Sequence, residues 1–441
     1  MLSPADLVLQ LMIAVAIIVA LIIILDIHPS ISLIVGALYM GLATGLGSMT
    51  TVETIGDGFG NLMNSIGIPI IFGIMIGTIL AECGGARKIA VTLVDVIPSK
   101  YAAYAIGLAA VIISIPVFFD VTFLVLAPVA IAVWQETDVE YPTIVGALAI
   151  GAGAAHTFIP PTPNPLAAAG IIGFPLSNMV VAGLLVGIPA VIITIGIYTR
   201  IVQFVWKPDS DIKEIPFNAQ NNTLENTPSF LASLLPIIAP ILLILSVSVS
   251  RALTGDVSTP VQFLGSRIIA LLIGLVIAVV VFVRVQGLED LSDQFTEALE
   301  PAGLVLTITG AGGAFGAVVQ ESGSVDSLVD VIGISGNGLG ILLLAYALGL
   351  VLRAVIGSGT VAGITAMTVV AGIQTTVPGS ALAMAALSGG LAFGHINGSG
   401  FWIATELSGL NVMGGFKTFT LGQTLCSIFG LTGSVIIALI M

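Results

Sequence analysis

A few residues carry ionisable or polar groups into otherwise apolar sequence. Asp120 closes the stretch Ile115-Pro116-Val117-Phe118-Phe119-Asp120. A carboxylate there costs roughly 3 kcal/mol unless it is paired or wetted, so function is its first reading. Arg353 is the only arginine with long apolar sequence on both sides. Its guanidinium offers a bidentate fork to a carboxylate, which makes it either an anion receptor or half of a buried ion pair with Asp120. His156 and His395 each stand beside a Pro- or Gly-rich interruption. Imidazole titrates near neutrality, so either could carry a coupling proton, or could hold its interruption together by hydrogen bonds to freed carbonyls. Gly357-Ser358-Gly359-Thr360 precedes an apolar helix, where small residues expose backbone N–H groups at a positive dipole end, as an anion requires. Ser358, Thr360, Asn164, Asn397 and Ser399 add neutral donors and acceptors suited to hydroxyl groups. The candidate binding residues are therefore Arg353, Ser358, Gly359, Thr360, Asn164, His156, His395, Asn397 and Ser399. Asp120, His156 and His395 are the candidate proton carriers, Asp120 first.

The elements that must position these groups are membrane helices. Of 441 residues 57% are hydrophobic and 8% charged, against about 25% charged in soluble domains. With 11 basic and 24 acidic residues, the chain could not cover a soluble core of this size, since single cores stop growing near 300 residues. Continuous runs such as Leu7 to Leu25, Val180 to Ile197 and Ile268 to Val283 suit helical spans, not the weak alternation of a barrel. The expected fold class is an all-α polytopic membrane protein. Residues 7 to 25 lack a basic n-region and a small-residue cleavage site, so they read as a retained first span.

Other chemistries find no footing. Cys83 and Cys426 are the only cysteines, too few for a disulfide framework or thiolate metal cluster. A net charge of −13 repels nucleic acid. There is no His-Glu-x-x-His run and there are only three histidines, so an intramembrane enzyme is not expected, and no cofactor or metal is implied.

Two interruptions fall in each half. The stretch 101 to 134 exceeds the roughly 20 residues of one crossing and is broken at Pro116, as a re-entrant hairpin would be. His156 through Pro165 contains four prolines and cannot continue an α-helix. With an offset of 239 residues, Gly77 falls on Gly316, Glu82 on Glu321, Leu148 on Leu387, Gly151 on Gly390 and His156 on His395. The second-half breaks are then Gly357 to Thr360 and His395 to Gly400. The chain divides into an N-terminal half (1–206), a cytoplasmic linker (207–229) and a C-terminal half (230–441). Basic residues at Arg87, Lys88, Lys100, Arg200, Lys207 and Lys213 mark the inner side and place both termini outside. The first Glu-x-Gly then lies inside and the second outside, so the repeats are inverted. Inverted repeats with paired broken helices point to a secondary transporter with its site at the midplane; a channel is the competing class, since it too tolerates irregular backbone around water.

Leu352 through Ala362, His156 through Pro165, Phe393 through Trp402, and Ala81-Glu82-Cys83-Gly84-Gly85-Ala86 together resemble the gluconate permease (gluconate:proton symporter) family of the ion transporter superfamily, in order and spacing over essentially the whole chain. The resemblance implies an inner-membrane, proton-coupled importer of sugar acids or small hydroxy acids such as gluconate, other hexonates, glycerate or D-serine. It also implies a homodimer whose transport domain moves against a scaffold like an elevator. The sequence departs from the family pattern at Gly398, where an acid is usual; at Asp120, where Glu is usual; and at Thr162, where a second His is common. Gly398 keeps sodium-coupled carboxylate transport as an alternative.

Overall fold

The computed structural model describes residues 3–25, 27–215, 227–254, 256–288, 291–324, 327, 338–373, 375–396 and 398–440. Nine helices among them are long and apolar enough to cross a membrane, as the apolar runs require.

The first half comprises α1 (Pro4–Ile23), α2 (Pro29–Ala43), α3 (Ser48–Glu82), α4 (Gly85–Val96), α5 (Ala102–Ser114), α6 (Phe119–Glu136), α7 (Tyr141–Phe158), α8 (Pro163–Ile172) and α9 (Leu176–Val205). The second comprises α10 (Phe230–Thr254), α11 (Arg267–Gln286), α12 (Leu291–Glu321), α13 (Leu339–Ile356), α14 (Gly359–Ala371), α15 (Gly379–Leu391), α16 (Ser399–Leu407) and α17 (Val412–Ile440). The order from α2 to α9 recurs from α11 to α17: a long helix, a broken hairpin, a helix stopping short of a second break, then a long helix with a π-bulge. The bulges, Gly183–Gly187 in α9 and Phe416–Thr420 in α17, occupy matching places.

Corresponding helices run antiparallel. On α3, Gly58 abuts Ala317 and Gly313 of α12, whereas Gly67, further along, lies nearest Leu306. Likewise Val186 of α9 abuts Gly433 of α17, and Tyr198 hydrogen-bonds Lys417 O at 3.1 Å.

α3 and α12 run well beyond their apolar stretches. The apolar stretch 66–82 is continuous back to Ser48, and the acidic segment before residue 302 is one helix with the apolar stretch that follows. Each helix begins with a polar, Gly-containing stretch too weak in hydropathy to read as a span. Tertiary packing of one against the other supplies the stability that composition does not.

α1, α2, α3, α10, α11 and α12 form a panel, and the broken helices form a bundle against it around α7 and α15. Burial follows: 94% of the hydrophobic window of α7–α8 is enclosed, against 17% for α1. Small residues make the joint close. A side chain at Gly77 of α3 would strike Pro116 O, and one at Gly73 would lie 2.9 Å from Pro161 O. At the matching positions of α12, Gly312 faces Ile364 and Gly316 faces Thr368.

The segment expected as linker starts as folded structure. Residues 207–215 dock on the turn between α16 and α17: the Lys213 and Glu214 amides both donate to Gly409 O (2.9 and 3.1 Å), and Asn411 N donates to Asp211 O (3.0 Å). Asp211 is fully buried, with Lys417 Nζ 2.8 Å from both of its oxygens and Lys207 N 2.6 Å from Oδ2.

Candidate functional site

The interruptions lie where the sequence places them, at residues 115–118, 159–162, 357–358 and from 392 to 396 and 398. Phe118, Gly357, Ser358 and Gly398 of three of them line one cavity of about 310 Å³, and His156, Thr157 and Asn164 bring the flanks of the other to it. Pro116 and the cluster Pro160, Pro161, Pro163 and Pro165 favour the first-half breaks by removing helix hydrogen bonds and crowding the preceding turn, although the single prolines Pro69 and Pro128 stay inside α3 and α6. In the second half, Gly357 ends α13 with φ +82°, a conformation that glycine adopts without the strain a Cβ brings.

Asp120, His156, Asn164, Arg353, Ser358, Gly359, Thr360 and Ser399 all line this cavity. His395 does not; its Nε2 lies 2.9 Å from Ala354 O, tying the second break to the last turn of α13. Asn397 lies outside the described residues.

Four helix starts converge here. Phe119 and Asp120 open α6, Asn164 lies in the first turn of α8, Gly359 and Thr360 open α14, and Ser399 and Gly400 open α16. At α6 and α16 no side chain caps the helix, so first-turn N–H groups remain available to a ligand, whereas in α8, uncapped but opening with Pro163 and Pro165, the Asn164 N–H is the one free first-turn donor. Only α14 is capped, by Ser358 Oγ accepting from Val361 N at 3.3 Å. The summed dipoles favour negative charge, and Asp120 in the first turn of α6 takes advantage of the same field.

Arg353 reaches in from the last turn of α13 with 8% of its surface exposed. One terminal nitrogen donates to Gly357 O, the other lies against Gly394, and Nε has no hydrogen-bond partner. His156 Nδ1 and Asn164 Oδ1 are likewise buried and unpartnered. An unmet buried polar group costs about 1–3 kcal/mol, and three facing one cavity suit a ligand with both acceptors and donors. Among the described residues the ion pairs are Lys213–Glu406 and Lys417–Asp211; Arg353 and Asp120 share the cavity without forming one. Among the described residues the bracing ion pair is therefore not formed.

The sequence reading passed over several wall residues. Gln423, 3% exposed, enters from α17 with Nε2 3.4 Å from Ala149 O, and Thr157 lies beside His156. Gln423 carries no comparable signal in the sequence, since Thr420, Thr424 and Ser427 surround it on the same helix. Phe118, Phe119 and Phe419 form an aromatic side, with Phe119 and Phe419 rings 5.5 Å apart. Leu304, Val305 and Ile308 of α12 close the cavity from the panel. At Gly398 a Cβ would lie 2.5 Å from Gly357 O, so the acid usual there has no room in this arrangement. Among the described residues no group of three or more His, Cys, Asp or Glu could hold a metal.

Residues 7–440 match the family model described as GntP family permease. The chain belongs to the GntP permease family. Among its relatives, an uncharacterized permease of Haemophilus influenzae is 32% identical over 91% of this chain and 86% of its own length. A gluconate permease of Pseudomonas aeruginosa is 28% identical over 94% of each. The crystal structure of the Alcanivorax borkumensis YdaH transporter, described as having an unusual topology, aligns with a TM-score of 0.63 at 14% identity, covering 93% of this chain and 97% of that one; the two share a fold. As a GntP family member the chain is a multi-pass membrane permease and not an enzyme.

Proposed function

We propose that this GntP permease is a secondary active transporter that imports a gluconate-like sugar acid or small hydroxy-carboxylate by proton symport. The observation that carries the reading is a buried, incompletely bonded Arg353 in a cavity where four helix N-termini meet. Arg353 and the α14 and α16 amides bind the carboxylate; Asn164, Thr157, Thr360, Ser399 and Gln423 read hydroxyls. The gluconate permease of Pseudomonas aeruginosa supports the substrate class. Antiparallel counterparts support inverted repeats, and a cavity walled on one side by α12 and elsewhere by the bundle suits a bundle that carries its ligand past the panel.

The reading includes an inner-membrane location with both termini outside and the linker inside. Contacts agree with the required sides: Gln286 Nε2 donates to Glu82 O at 2.8 Å, and the linker start meets the α16–α17 turn, pairs that the crossing count puts on the inner face. Ser210 is exposed, so Ser210→Cys in intact cells should resist an impermeant thiol reagent and react once the membrane is opened. Labelling in intact cells would overturn the orientation.

Coupling is assigned to Asp120, with His156 as the nearby second group. Binding that takes up a proton tightens as pH falls, so substrate affinity should rise toward acidic pH and Asp120→Asn should flatten that dependence. In proteoliposomes a pH gradient should drive accumulation of gluconate. Accumulation driven by a sodium gradient alone would replace the proton with sodium, and equilibration without accumulation under either gradient would make the protein a channel.

A further inference from the structure

A second cavity, of about 430 Å³, lies away from the substrate site, where the α8–α9 turn of the bundle meets the α10–α11 connection of the panel. Its walls differ in kind. Phe174, Leu176, Ile244 and Val247 make one side apolar; Ser177, Gln262, Ser266 and Arg267 make the other polar.

Arg267 is half-buried and begins α11; among the described residues no hydrogen bond or ion pair engages it. Ser266, the residue before the helix, does not cap it, since its hydroxyl donates instead to Phe263 O at 2.8 Å. The first-turn amides of a 20-residue helix are thus open beside a guanidinium, and together they offer charge and donors to a phosphate-type anion. The carboxylate nearest in sequence, Asp256, is turned to its own backbone, accepting from Val257 N at 2.7 Å. Phe263, Leu264 and Ile268, neighbours in sequence of the polar lining residues, are exposed, as residues facing acyl chains are.

We propose that this cavity binds an anionic phospholipid, its phosphodiester on Arg267 and the α11 N-terminus and one acyl chain along Phe174, Ile244 and Val247. The lipid would then occupy the joint between bundle and panel. The site is independent of the substrate assignment.

The test is binding of defined lipids to the purified, delipidated full chain in neutral detergent, followed by thermal stability and titration. Phosphatidylglycerol should raise the melting temperature, while phosphatidylcholine and water-soluble glycerophosphoglycerol at equal concentration should not. Arg267→Gln should weaken phosphatidylglycerol about tenfold, the size of one lost charge-assisted contact, while Arg251→Gln, at an exposed arginine outside the cavity lining, should leave it unchanged. Should Arg267→Gln fold poorly, Gln262→Glu places a like charge at an exposed lining position and should weaken the lipid as much. Equal stabilisation by phosphatidylcholine, wild-type affinity in either lining variant, or equal binding of the chain-free head group overturns the proposal.

Discussion

Replacing Arg353 with lysine is expected to weaken sugar-acid binding at least tenfold while leaving the fold intact. In the native arrangement one guanidinium nitrogen holds Gly357 O and Nε remains unpartnered, so one side chain can pin the end of α13 and still present donors to the cavity. Lysine keeps the charge but is a single point of attachment. It cannot serve the glycine carbonyl and a carboxylate together. Losing one charge-assisted contact costs about 1.5–3 kcal/mol, which is roughly one to two decades in Kd. Titration of purified Arg353→Lys with gluconate checks this, alongside a thermal melt in the absence of ligand. A variant that melts like wild type and binds as tightly removes Arg353 from the site.

Lys417→Met should produce the largest loss of stability, although Lys417 touches no part of the cavity. Asp211 is fully buried and Lys417 is its ionic partner, so the substitution strands a buried carboxylate, typically at about 3–5 kcal/mol. A second change, Asp211→Asn, should recover much of the loss, because the amide oxygen still accepts from Lys207 N without a charge to compensate. Melting curves of the single and double variants in one detergent decide it. A double variant no more stable than Lys417→Met would mean that the ionic contact is not what holds the linker start in place.

The sequence disclosed the breaks and most of the cavity for one reason: clustered prolines, glycines at helix ends and charges are conspicuous in apolar runs, and the physics that makes them costly inside a membrane helix is local. Asp120 and Arg353 could be selected without knowing what lies near them. Contacts made over long separations left no such mark. Asp211 and Lys417 are 206 residues apart; Asp211 reads as part of a solvated linker, and Lys417 as a charge at the start of an apolar helix. The length of α3 and α12 was hidden for a related cause, since their polar ends are helical only by virtue of each other. His395 shows the limit of reasoning by repeat: it matches His156 in sequence, yet its ring braces Ala354 O while that of His156 borders the cavity.

The glycine pairs on α3 and α12 carry a last consequence. Gly73 and Gly77 hold the carbonyls of the first-half breaks, whereas their counterparts Gly312 and Gly316 hold Ile364 and Thr368, well inside α14. Equivalent grips thus sit at different heights on equivalent hairpins. If the bundle moves past the panel as proposed, exchanging the two arrangements between the halves would give its second conformation, built from the same kinds of contact. In it Gly73 would receive Val125, the counterpart of Ile364 at the same offset, and the second-half breaks would descend onto Gly312 and Gly316. On the proposed reading, the difference between the two halves is in this sense a ruler: its length would be the stroke of the bundle, and its sign the end of the stroke at which the molecule stands.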